Sequence, residues 1–120
     1  MTLLKRNFSI ITIVFLNLFS NNVSAQCINT TSYGTATAPT SGSVTISSIQ
    51  YQTEYSTINS VIAGTTYESA YGAGGCITIT SGSPTGPVVV FGPSPLQWTA
   101  ATSGTYYVHY TLDCGPGCAT

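Results

Sequence analysis

Gly104-Thr105-Tyr106-Tyr107-Val108-His109-Tyr110-Thr111-Leu112 is the stretch that decides the fold class. In an extended strand alternate side chains point to opposite faces, so Tyr106, Val108, Tyr110 and Leu112 fall on one side and Tyr107, His109 and Thr111 on the other. Aromatic and β-branched residues favour a pleated surface, and Ser103-Gly104 supplies the turn that opens it. The Tyr106 side is expected to be dry. The opposite side, carrying the single histidine of the chain, is expected to face outward.

Further strands are expected on both sides of this one. Ser43-Val44-Thr45-Ile46-Ser47 and Cys76-Ile77-Thr78-Ile79-Thr80 alternate with period two, as does Leu96-Gln97-Trp98-Thr99-Ala100, where Leu96 and Trp98 share a face. Val88-Val89-Val90-Phe91 is a continuous apolar run, which suits a strand covered on both faces or one at a sheet edge under a loop. Residues 50–58 and 65–71 carry tyrosines at mixed spacings and are assigned as strands of uncertain register. Turn signals separate the runs at Pro39-Thr40-Ser41-Gly42, Gly72-Ala73-Gly74-Gly75, Ser81-Gly82-Ser83-Pro84 and Gly92-Pro93-Ser94-Pro95. No helical period appears after residue 25. The pattern predicts an all-β protein, an Ig-like or jelly-roll-type β-sandwich of about seven or eight short antiparallel strands.

Charge excludes several functions. Of 120 residues only 4% are charged, and both basic residues, Lys5 and Arg6, stand at the N-terminus. They precede the apolar run from Phe8 to Phe19 and then Val23-Ser24-Ala25, whose small residues fit a signal-peptidase site. Residues 1–25 are expected to be a cleaved signal peptide and residues 26–120 a single secreted domain. A lipid anchor on Cys27 would need a small residue before it, and Gln26 stands there. After cleavage the chain keeps Glu54, Glu68 and Asp113 and no cation. It therefore cannot neutralise phosphates, and neither nucleic-acid binding nor insertion in a membrane is expected. Cys27, Cys76, Cys114 and Cys118 all lie in the exported part, where an even count points to disulfides with three pairings open. Zinc at Cys114-Gly-Pro-Gly-Cys118, completed by His109 and the distant cysteines, is the less favoured reading, so no cofactor is expected.

Ala101-Thr102-Ser103-Gly104-Thr105-Tyr106-Tyr107-Val108-His109 resembles the penultimate-strand signature of immunoglobulin-like and pre-peptidase C-terminal-like β-sandwiches. The resemblance implies that the Tyr106 hydroxyl ties back to a nearby backbone group and that Val108 points into the core. A wider likeness follows the order Cys27, Ser43–Ile46, Tyr51–Tyr55, Val61–Tyr67, Ile77–Ile79, Phe91–Ala100, Ser103–His109 and Cys114-Gly115. It is similar to β-sandwich modules of secreted and cell-surface proteins of Bacteroidota, which usually belong to longer chains and whose own function is unassigned. Those modules imply a bridge from Cys27 to Cys114 or Cys118, with Cys76 taking the remaining partner or staying free. The end at Thr120 fits either a fragment of a longer chain or a module encoded alone.

Candidate chemistry is sparse. His109 and Asp113, four residues apart in an extended strand, lie roughly 13 Å apart on one face, too far to pair. No Gly-x-Ser-x-Gly elbow is present. Glu54 and Glu68 would suit a glycosidase pair only if their strands were neighbours. Catalysis is therefore not expected. Trp98 is assigned to the core with Tyr106 and Val108, and Tyr51, Tyr55 and Tyr107 are the ligand-facing aromatics. The expected role is a non-catalytic extracellular interaction, adhesion or spacer module whose partners are glycans or cell-surface proteins. The runner-up is a carbohydrate-binding module with an aromatic platform.

Overall fold

A computed structural model describes residues 27–46, 54–112 and 114 of the chain. Along them run seven strands and no helix: β1 (Thr31–Thr37), β2 (Glu54–Val61), β3 (Thr66–Ser69), β4 (Cys76–Ser81), β5 (Val88–Pro93), β6 (Leu96–Thr99) and β7 (Gly104–Thr111). Five form one sheet in the order β1-β2-β7-β4-β5, and β3 and β6 form a second. The protein is a small β-sandwich whose two layers are unequal.

The alternation in β7 organises the core. Its neighbours β2 and β4 run antiparallel to it, with Ile79 opposite Val108 and Ile77 opposite Tyr110, so the apolar sets of both strands share the inner face. Ile77, Ile79, Val108, Tyr106 and Tyr110 are all buried. Burying one such aliphatic side chain stabilises the fold by about 2 kcal/mol. Across the gap Trp98 of β6 lies between Tyr67 and Tyr106, at ring-centroid distances of 5.2 and 5.1 Å. Its indole N–H donates to the Ser69 hydroxyl at 3.0 Å, which removes the cost of burying that donor. The Tyr106 hydroxyl donates to the Thr102 carbonyl at 2.7 Å, closing the corner that leads into β7.

Several expectations need correction. Ser43–Ile46 forms no strand, and Val44 is 48% exposed, because no neighbouring strand pairs with this segment; Ser47 lies outside the described residues. β1 was not expected, since Thr31–Thr37 has no apolar alternation, and it runs parallel to β2 rather than antiparallel. Its Gly34 passes close to Ser56 and Ile46, where a Cβ would come within 2.9 Å of the Ile46 side chain. Of the two readings of the Val88–Phe91 run, the sheet edge is the one found: the run lies in the edge strand β5, and with Val89 and Phe91 each 37% exposed it is not covered on both faces. Leu112 falls past the end of β7 and is exposed instead of sharing the core with Tyr110.

The outer face of the five-stranded sheet is also covered at its centre. Thr78, Thr80, His109 and Thr111 are buried there. Cys76 and Cys114 form a disulfide that ties β4 to the chain just past β7, with their Cα atoms 5.2 Å apart. That pairing excludes a Cys27–Cys114 bridge and shows that Cys76 is not free. Cys27 is buried and disulfide-bonded as well. Cys118 and the leader of residues 1–25 lie outside the described residues.

Candidate functional site

The histidine is the first place to look for chemistry. His109 was expected on a solvent-facing surface; it is on the outer face of its sheet but 0% exposed, because the segment before β1 lies over it. The Asn29 backbone N–H donates to His109 Nδ1 at 2.9 Å. Nδ1 therefore accepts, and the ring proton of the neutral imidazole sits on Nε2. Nε2–H then donates to the Thr80 hydroxyl at 3.0 Å, which donates onward to the Pro84 carbonyl at 3.1 Å. The Asn29 side-chain amide fixes the covering segment by donating to the carbonyls of Glu54 and Tyr110. Burial pushes the imidazole down from its ordinary 6.5 to about 4, opposed in part by the Pro84 carbonyl. Both ring nitrogens are occupied, so His109 joins three segments and offers no lone pair to a substrate.

The other chemistry candidates are dispersed. Glu54 begins β2 in the large sheet and Glu68 lies on β3 in the small one, so they are not on neighbouring strands and the glycosidase arrangement fails. Cys76 and Cys114 are spent on each other, which removes them from the zinc set. Among the described residues no three His, Cys, Asp or Glu side chains come together where a metal ion could be held. Asp113 lies outside the described residues.

Of the ligand-facing aromatics, Tyr55 and Tyr107 meet edge to face at 5.7 Å on the outer face, both half-buried. Tyr55 also lies 5.6 Å from the His109 ring. β2 and β7 are neighbours with Tyr55 opposite His109, so the cross-strand diagonal brings Tyr107 to Tyr55. Tyr51 lies outside the described residues. Trp98, Tyr106 and Val108 are core residues, as the sequence indicates.

A groove of about 940 Å³ is a feature that the sequence did not point to. One wall is the consecutive run 39–46 and the other the consecutive run 65–73, with Ala36 and Ile58 of the large sheet and Trp98 and Tyr110 deeper in. Tyr71 packs on Tyr110 at 4.9 Å, and Tyr67 covers the outer face of the indole. Burial pushes the Tyr110 phenol up to about 12, with Tyr71 adding to the rise and a hydrogen bond with Ser56 opposing it, so it stays neutral. Among the described residues that line the groove, Glu68 is the only carboxylate and there is no cation. Tyr67 and Tyr71 are four residues apart, and Tyr71 lies past the end of β3, so strand alternation alone could not have grouped them.

No family model, no curated protein and no solved structure matched this chain.

Proposed function

We propose that the chain is a non-catalytic extracellular recognition module, an adhesion or spacer unit of a secreted or cell-surface protein, and that it presents the groove beside β3 to its partner. The observation that carries this reading is the groove itself. Its volume lies within the range of ligand sites, and its lining mixes hydroxyls with aromatic and small apolar side chains. The internal bonding of His109 supports the absence of acid-base catalysis. An NMR titration of the disulfide-intact chain with peptide and oligosaccharide panels tests it. Amide shifts should gather in residues 39–46 and 65–73. A hydrolytic activity abolished by His109→Gln, in a variant that keeps its fold, would overturn the reading.

The second reading, carbohydrate binding, is favoured by the Tyr55–Tyr107 pair, because half-exposed rings can stack against the C–H faces of a sugar. On a glycan array Tyr107→Ala should lose binding by roughly tenfold, the loss of one stacking contact of about 1.4 kcal/mol. Phe91→Ala, on β5 at the opposite edge of the sheet and separated from β7 by β4, should bind as the parent does. Equal binding by both variants removes this platform.

A further inference from the structure

The two sheets differ in width, and the groove lies where the narrower one stops. The small sheet has two strands above a sheet of five. Its β6 carries Trp98 over Tyr106 of β7, whereas the groove floor includes Ala36 of β1 and Ile58 of β2. The space beside β3 is therefore the position that a third strand of the small sheet would fill.

The hydrogen-bonding groups of β3 fit such a strand. Ala100 N–H donates to the Thr65 carbonyl at 3.1 Å, which makes that opposing pair a bonded one. Bonded and non-bonded pairs alternate along an antiparallel ladder, so Tyr67 and Ser69 turn their backbone groups toward β6, while Thr66 and Glu68 turn theirs toward the groove. The hydroxyls of Thr66 and Thr99, 2.8 Å apart, show the close approach of side chains typical of a non-bonded pair. This edge is also the least protected in the fold. β1 is bulged between Ser32 and Gly34; β5 is bulged beside Val88 and has Pro87 and Pro93 at its ends; Pro95 directly precedes β6. Such irregularities and prolines keep sheet edges from pairing with other chains. β3 has no bulge and no proline.

We infer that β3 accepts an extended polypeptide strand from a partner as a third strand of the small sheet, held through the backbone groups of Thr66 and Glu68. This rests on the recognition-module reading and narrows its partner to a peptide. A groove bounded lengthwise by two consecutive backbone runs suits a chain without branches. Inward side chains of the added strand would meet Ala36, Ile58 and Tyr71, which favours small apolar residues at alternate positions. With Glu68 as the groove's carboxylate and no cation among the described residues, the partner strand is neutral or basic and not acidic.

The test uses the disulfide-intact chain and a synthetic peptide of about eight residues alternating Thr and Val, with Lys at two outward positions. Its controls are the same peptide N-methylated at every second residue, a version with Glu for Lys, and cellohexaose. The parent peptide should slow amide exchange at Thr66 and Glu68, and the N-methylated and Glu peptides should not. Glu68→Pro removes one groove-facing N–H without touching the bonds to β6, and binding should weaken by roughly tenfold. Thr66→Pro should act in the same way, and the N-methylated control needs no variant at all. Equal binding of the N-methylated peptide overturns strand addition. So does slow exchange at Thr66 and Glu68 in the free chain, which would mean that residues 43–46 already occupy the edge. Cellohexaose shifting the groove amides while no peptide does removes strand addition and leaves a recognition module. A groove that responds to none of the probes removes both readings.

Discussion

The two faces of the five-stranded sheet are equally closed to water at their centre and are closed by different means. Inward, Ile77, Ile79 and Val108 bring only carbon, and packing against the aromatic layer suffices. Outward, Thr78, Thr80, His109 and Thr111 bring polar atoms, and burial is tolerated where each finds a partner, as His109 does with Asn29 and Thr80. A buried aliphatic side chain requires volume from its surroundings, whereas a buried imidazole requires a donor and an acceptor at fixed positions. The first face should therefore respond to changes of shape and the second to changes of protonation.

The largest effect is expected inward. Ile79→Ala leaves a cavity opposite Val108 and should destabilise by about 4 kcal/mol in urea unfolding. A cost below about 1 kcal/mol would mean that the inner face can collapse around the loss. Acid separates the faces next. The unfolded chain binds a proton on His109 near 6.5 and the folded chain only near 4, so the stability from keeping the ring neutral is complete above 6.5 and is lost as pH falls between those values. The loss should reach about 3 kcal/mol relative to a His109→Gln variant, in which the dependence over that interval is absent. Identical pH profiles would show that the ring is not held neutral by its surroundings. Smallest is Tyr106→Phe, which keeps the ring between the layers and deletes the hydroxyl's bonds with Thr102: the one it donates to the carbonyl and those it accepts from the backbone N–H and the side-chain hydroxyl. It should cost about 1 kcal/mol and leave the acid response unchanged.

The same contrast explains what could be read from the residues. The inner face was legible in β4, β6 and β7, because alternation records a burial that depends on carbon alone, and it assigned Trp98, Tyr106 and Val108 correctly to the core. The outer face was not. The partners of His109 come from Asn29, 80 positions away, and from a loop carbonyl at Pro84, and no local pattern encodes either. β1 escaped notice for a related reason: it is held by parallel pairing with β2, and only Gly34 and Ala36 among its residues turn substantially inward. Ser43–Ile46 shows the converse, since its alternation is sound but, among the described residues, no strand pairs with it to complete a ladder. The groove combines both failures. It is bounded by that unpaired segment and by β3, which among the described residues has a neighbouring strand on one side alone.

The Cys76–Cys114 bridge gives the module a mechanical property. Tension on the chain beyond residue 114 would divide between the peptide backbone leading into β7 and the sulfur link to β4, the strand beside it. β7 could not unzip from that end without dragging its neighbour, so the load would be shared by the central strand β7 and by β4 beside it. In the proposed role of a spacer, the domain would resist extension from that side until the sulfur link was reduced.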